Sequence, residues 1–515
     1  MALTIGSLLA LSFVISLIAL LFLIWGITGG QFDVDQRDAN IIFTADDAVN
    51  HKDRDHRFDT EAAGIDEVSR GPVRVLIASA ILWLVLGSIF GLISSLKMHW
   101  PDLLDQWAPL TFGRLRTLHL NAVAYGWSSL GSLAAVMWLI PRIFHTPLRF
   151  PRLPLYGAVI WNAGLAAGLI AIALGWTDGL EWLEIPWQID GALAVGGALF
   201  AIPLIASALS RQVNHIYVSG WYFIAALCWF PVLFIIANFP YVHSGAEQAA
   251  VNWWFAHNVL GLWLTPLGVG IAYYFIPKII GKPIYSYSLS LVGFWGLALF
   301  YSQVGIHHLI GGPVPTWLVN VSIVHSVMMF LPVIAVAVNQ HVTMVNNLWA
   351  LRDSYPLRFV WLGALMYTAA SLQGSVEALR SVNTIAHFTH YTVGHAHLGV
   401  YGFVAFVLFG FVYEVGPRLV GRPWPWPALI PLHYWLVLVG FAIYFVALTV
   451  GGWLQGKVML DALRPFADSV TLLKPYLEAR SLGGTLMTLG HFIFAFHVAA
   501  LFMQRAPQTL ARTAA

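Results

Sequence analysis

The chain is poor in charge and nearly devoid of cysteine. Of its 515 residues only 10% are Asp, Glu, Lys or Arg, against about 25% in soluble proteins. A single cysteine, Cys228, excludes a disulfide framework and any thiolate metal cluster built within the chain. There is no Cys-x-x-Cys-His sequence, so no c-type haem is attached here. A formal net charge of +2 gives no reason to expect nucleic acid as a partner. The first apolar run, about residues 4–27, lacks a basic leader and an Ala-x-Ala-like cleavage site, so it reads as a retained anchor rather than a signal peptide.

What is present is apolar surface, tryptophan and histidine. The chain is 59% hydrophobic with a mean hydropathy of +0.74, and it holds 23 Trp and 19 His. Tryptophan suits membrane interfaces; that much histidine in so apolar a chain needs a cause. Residues 31–70 differ in kind, with 11 acidic and 5 basic residues, and read as a solvated, poorly ordered linker. Twelve further apolar runs follow, at about 72–96, 113–140, 153–176, 188–210, 216–239, 249–277, 286–311, 316–345, 357–382, 391–415, 427–453 and 481–503. All should be helices, because backbone groups in lipid must be bonded within their own segment. The expected fold is an all-α integral membrane protein: an N-terminal transmembrane anchor (1–30), an acidic linker (31–71), a twelve-helix core (72–503) and a tail (504–515).

Loops after alternate runs carry Arg142, Arg149, Arg152, Arg211, Lys278, Lys282, Arg352, Arg358, Arg418 and Arg422, with Arg505 and Arg512 after the last. The opposite loops carry Asp102, Asp105, Asp178, Glu181, Glu184 and Glu247. The positive-inside rule places the first set, and with it the linker and the tail, in the cytoplasm.

On that orientation His119, His257, His307, His308, His395 and His397 share one depth, in the outer third of the membrane. Six independent core histidines on four helices would have no reason to share a level, and ionisable groups in lipid mark function by default. Neutral imidazole suits copper, zinc, iron and haem iron. His395 and His397 point about 200° apart on a helix, so each can ligate a different group. His307 and His308, about 100° apart, can face one ion, with His257 as a third nitrogen. His119 and one of His395 and His397 can hold a six-coordinate haem. The remaining histidine of that pair can hold a second haem, open towards the three-histidine metal.

Several stretches carry a family resemblance. They are Gly113-Arg114-Leu115-Arg116-Thr117-Leu118-His119, Ala256-His257-Asn258, Pro283-Ile284-Tyr285-Ser286-Tyr287, Tyr301 through His307-His308, Gly394-His395-Ala396-His397, and Pro475-Tyr476 with Arg480 through Gly484. Over about residues 72–503 the chain resembles the catalytic subunits of haem–copper oxygen reductases, in detail the cbb3 type. The resemblance implies His119 and His397 as axial ligands of low-spin haem b, His395 as the ligand of high-spin haem b3, and His257, His307 and His308 as ligands of a copper ion, CuB. It also implies a catalytic Tyr301, cross-linked to the lone copper histidine and two turns before His308. A proton path through Tyr287, Ser290 and Thr265 follows from it, as do electrons from membrane-anchored c-type cytochromes. The expected setting is the bacterial inner membrane, with proton translocation coupled to O2 reduction. Arg480, with Arg114 and Arg116, is placed to meet haem propionates, where the resemblance leaves room for a calcium ion.

Two other readings compete. In a nitric oxide reductase, iron replaces the copper, and a carboxylate ligand one turn from His257 would favour it; that position is Gly261. A polytopic transporter or haem-handling protein would show broken helices about a midplane site, whereas these ligands lie off-centre. The chain departs from the family pattern at Gln373, where a Glu is expected, with Glu377 one turn on, and it adds His387 and His390 near the haem level. Trp25 with Gly30-Gln31-Phe32-Asp33 and its acidic tail resembles the small single-span assembly protein of cbb3 oxidases, which suggests a fusion.

Overall fold

The structure, a computed structural model, describes residues 17, 20–43 and 60–504. Eleven helices among the described residues are long and apolar enough to cross a membrane. In chain order these and one further helix are α1 (Thr60–Lys97), α2 (Phe112–Ile143), α3 (Leu153–Leu174), α4 (Trp187–Leu209), α5 (Val218–Asn238), α6 (Gly245–Ile280), α7 (Tyr287–Phe300), α8 (Thr316–Val345), α9 (Tyr355–Glu377), α10 (His390–Val420), α11 (Leu429–Met459) and α12 (Phe466–Phe502). The further helix, α9, is 23 residues long but less apolar than its neighbours. It lies in the same bundle, against α8 and α10. Each expected apolar run coincides with one of these helices, as the need to bond every backbone group within lipid requires. Of the anchor expected over 4–27, residues 20–28 are helical and most of the rest lies outside the described residues. The tail from 505 on, with Arg505 and Arg512, lies outside them too.

The described parts of the linker, 31–43 and 60–70, have more structure than their composition suggested; 44–59 lie outside the described residues. Residues 31–43 run against the bundle, with a 3-10 turn at Gln36–Asn40 capped by Asp35. Helix α1 begins at Thr60, about a dozen residues before the apolar run does. Asp66, on that extension, is buried and receives Nε and a terminal nitrogen of Arg142 at 2.8 Å each. This two-pronged bond holds a carboxylate in helical, packed chain where hydropathy alone signals solvent.

Several membrane helices are broken where the histidines sit. π-helical turns follow His119 (Ala122–Ser128), His257 (Val259–Leu264) and His397 (Leu398–Ala405). Such turns gather at functional sites, because the extra residue re-aims the side chains around it. The helix of Tyr301 stops at Phe300 and gives way to 3-10 turns at Tyr301–Gln303 and Ile306–Leu309.

Removing one partner of the Asp66–Arg142 pair leaves a buried charge uncompensated, which costs about 3–5 kcal/mol. Asp66→Asn should therefore lower the thermal unfolding midpoint of the detergent-solubilised protein clearly, and an unchanged midpoint would show that the pair does not anchor α1.

Candidate haem and metal centre

His119, on α2, and His397, on α10, face each other with ring planes 9° apart and centroids 6.3 Å apart. Two metal–nitrogen bonds of about 2 Å each, plus ring radii of roughly 1 Å, span a gap of that size. The Nδ1–H of His119 donates to the Gly87 carbonyl at 2.7 Å, and that of His397 donates to the Val393 carbonyl at 2.8 Å. These bonds fix the tautomer and leave each Nε2 as the free ligand nitrogen. The Nε2 of His397 lies 3.1 Å from the Tyr444 hydroxyl, a contact that iron ligation would replace. Arg480 donates to that same hydroxyl at 3.2 Å.

His257, on α6, and His307 and His308 form the second group. One nitrogen from each lies within 4.8 Å of the others, and the ring centroids are 4.5–5.5 Å apart. Ser322 and Ser326 of α8 flank the Nδ1 of His307 at 3.1 and 3.2 Å, which turns its Nε2 into the cluster. Three neutral imidazoles are a donor set suited to copper. His395 lies on the same small enclosed cavity as these three, together with Glu377, Asn383, His387 and Thr392. Its ring rests against Gly374 of α9. The Nδ1 atoms of His257 and His395 are buried without a partner.

Two sequence expectations need correction. His307 and His308 do not share a regular helix, and Tyr301 does not reach them as a residue two α-turns back. The chain breaks at Gly305, whose φ of +123° is closed to side chains. A Cβ there would also press on the Trp253 carbonyl and come within 3.0 Å of the His257 Cβ. Tyr301 still lies beside His257, the lone histidine it was expected to join, with ring centroids 5.3 Å apart. The second correction concerns Thr265. On an unbroken α-helix Thr265, eight residues on, would share a face with His257, but the turn Val259–Leu264 intervenes and shifts the register. Among the described residues no hydrogen bond joins Thr265 to Tyr287 or Ser290. Those two do meet, through a Ser290 hydroxyl that donates to the Tyr287 carbonyl at 2.6 Å.

Gly261 proves informative. A Cβ at this position would overlap the Tyr301 ring, so the place where a carboxylate ligand would favour iron is filled by the tyrosine. Of the three arginines, only Arg480 faces the His119–His397 pair. Arg114 donates to the Ala173 carbonyl and Arg116 pairs with Glu181.

Comparison with known proteins agrees with this geometry. Residues 71–486 match the family model described as cytochrome c and quinol oxidase polypeptide I. The chain belongs to this family. It is 30% identical over 442 residues to the cbb3-type cytochrome c oxidase subunit CcoN1 of Stutzerimonas stutzeri, covering 82% of this chain and 93% of that one. It is 29% identical over 455 residues to cytochrome c oxidase subunit 1 of Rhodobacter capsulatus, covering 84% and 85%. A solved haem–copper terminal oxidase dimer shares the fold, with a TM-score of 0.71 at 17% identity over 85% of each chain. This haem–copper oxidase subunit I is a multi-pass membrane enzyme, and membership implies haem and copper as its cofactors. Residues 20–43 precede the family match.

Sequence reading missed the burial of Glu184, which is 5% exposed rather than solvated and accepts from Asn121, two residues past His119, at 2.9 Å. Burial pushes its carboxyl up to about 7. A single acidic letter in an otherwise plain loop gives no sign of this. Glu377, singled out in the sequence beside Gln373, is buried; one of its oxygens takes the Thr392 hydroxyl and the other has no partner.

Gly261→Ala should displace Tyr301 from His257 and lower oxidase turnover by about a hundredfold, the scale of a 1 Å misplacement, while the haem content of the protein persists. Parent-level turnover would show that the close approach of Tyr301 is unimportant.

Proposed function

We propose that this subunit catalyses the reduction of O2 to water with electrons from membrane-anchored c-type cytochromes, coupled to proton translocation across the bacterial inner membrane. The observation that carries the reading is the Tyr301 ring packed between Gly261 and His257, at the edge of the three-histidine cluster. It supplies a phenol where O2 chemistry needs one more electron and proton. It also fills the position from which a carboxylate would favour iron, so nitric oxide reduction is the weaker alternative.

In this reading His119 and His397 hold low-spin haem b, His395 holds high-spin haem b3, and His257, His307 and His308 hold CuB. When bound, these groups supply electron transfer and the binding and reduction of O2. The chain's own residues do the rest. Arg480, reaching Tyr444 beside His397, meets propionate charge on the outer side. The shared helix segment His395-Ala396-His397 fixes the two haem sites back to back at a constant separation. Tyr301, half-buried and held against His257, donates a hydrogen atom equivalent at the cluster. Tyr287 and Ser290, on the cytoplasmic half of α7, bring protons from inside.

Tyr301→Phe keeps the ring and removes the hydroxyl. O2 consumption should fall at least about a hundredfold, with haem content and the low-spin spectrum unchanged; retained turnover would remove Tyr301 from the mechanism.

A further inference from the structure

One buried contact near the cytoplasmic face lies far along the chain from every ligand histidine. The Nε2 of His215, in the loop between α4 and α5, is 2.9 Å from the Tyr287 hydroxyl at the start of α7. The two rings meet edge to face at 5.3 Å. Tyr287 is fully buried, whereas His215 is half-buried. A cleft of about 540 Å³, lined in part by Trp25, Gln31, Arg211 and Asn214, opens beside the His215 loop. The cleft reaches Asn214, the chain neighbour of half-buried His215.

The N-terminal segment holds both members of the pair by their backbones. The Gln31 side chain donates to the Asn214 carbonyl at 2.9 Å and accepts from the Ile216 N–H at 3.0 Å, so it brackets His215. The Gln36 side chain donates to the Ile284 carbonyl at 2.8 Å and accepts from the Tyr287 N–H at 2.9 Å. Each amide thus spends its donor and its acceptor on one side of the same hydrogen bond. Gln31 is 4% exposed, so its two bonds are shielded from water, whereas Gln36 lies at the surface. Phe32 on Trp295, at 5.4 Å, and Lys278 donating to the Ile42 carbonyl, at 2.7 Å, pin the segment on either side. The turn Gln36–Asn40 carries Asp38, whose charge acts on both His215 and Tyr287. A segment kept only as a tether would need none of these bonds to the flanks of His215 and Tyr287.

We propose that residues 31–40 form the cytoplasmic proton-entry site of this oxidase, with His215 as the relay and Gln31 and Gln36 as positioning residues that hold it against Tyr287. The inference rests on the reading of Tyr287 and Ser290 as the proton path. In each transfer His215 takes a proton from water at Nδ1 and releases the Nε2 proton to the Tyr287 oxygen. The phenol proton, which now points at the Ile216 carbonyl at 3.1 Å, is passed inward in exchange; Ser290, bonded to the Tyr287 main-chain carbonyl, lies one turn on. One proton enters and no electron moves; the imidazole returns to its first tautomer when the ring swings outward, gives its Nδ1 proton to water and takes one from water at Nε2. Asp38 favours the positively charged imidazole at the moment of transfer. The segment precedes the part of the chain that matches the family, so this mouth is built from residues of the chain's own N-terminal piece.

The test uses the full-length chain in the oxidase complex as isolated from membranes, with O2 consumption and the haem spectrum followed together. Tyr287→Phe checks the path itself. His215→Ala should slow turnover by about tenfold or more, leave the haem spectrum unchanged, and recover when free imidazole is added. Gln31→Ala and Gln36→Ala, made singly, should each slow turnover several-fold with the spectrum intact. If Tyr287→Phe is slow but His215→Ala and both glutamine variants run at the parent rate, the path stands and the entry site proposed here is wrong. A slow His215→Ala that imidazole does not restore also overturns it, because that residue would then be structural. If Tyr287→Phe runs at the parent rate, the path reading fails first and the entry site with it.

Discussion

An imidazole in an apolar bundle has two nitrogens to satisfy, and no water to do it. That constraint organises the centre of this protein. His119 and His397 give one nitrogen each to a carbonyl, and His307 gives one to a pair of serines. The other nitrogens are turned into two shared spaces, one between parallel rings and one among three converging rings. His395 lies on the edge of the second space while its neighbour but one serves the first. The π-turns of α2, α6 and α10, each following one of the histidines, re-aim the side chains around these rings.

Much of this was legible in the sequence, and for a physical reason. Lipid forces each apolar run into a helix, so depth along a run can be counted, and six histidines counted to one depth. The spacing His395-x-His397 said that two groups lie on opposite sides of one helix, and the structure places those histidines at two different sites. The break in α7 was not legible. Counting 3.6 residues per turn from Tyr301 to His308 assumes the hydrogen-bond ladder continues, and Gly305 interrupts it with a backbone conformation that only its backbone neighbours reveal. The π-turns after His119, His257 and His397 were equally hidden, because an added residue in a helix leaves no mark in an apolar run.

The N-terminal piece shows the opposite limit. Its composition pointed to solvent and disorder, yet residues 31–43 are laid on the bundle by a handful of polar bonds together with the burial of Ala39 and Ile42. Gln31 and Gln36 look like surface residues in the sequence; only the fold shows that their amides complete the backbone of two distant loops. Asp66 makes the same point at the start of α1, where one arginine turns an acidic linker residue into a buried partner. Charge and hydropathy report where a residue prefers to be, and specific partners can override that preference at a few positions.

The central claim is that this family member carries a copper ion among His257, His307 and His308 beside two haems. Quantitative metal and haem analysis of the purified chain tests it most directly. The account predicts two b-type haems and one copper per chain, with the copper lost, and both haems kept, in His257→Ala. A non-haem iron in place of copper, or a parent protein without either metal at this cluster, would contradict it.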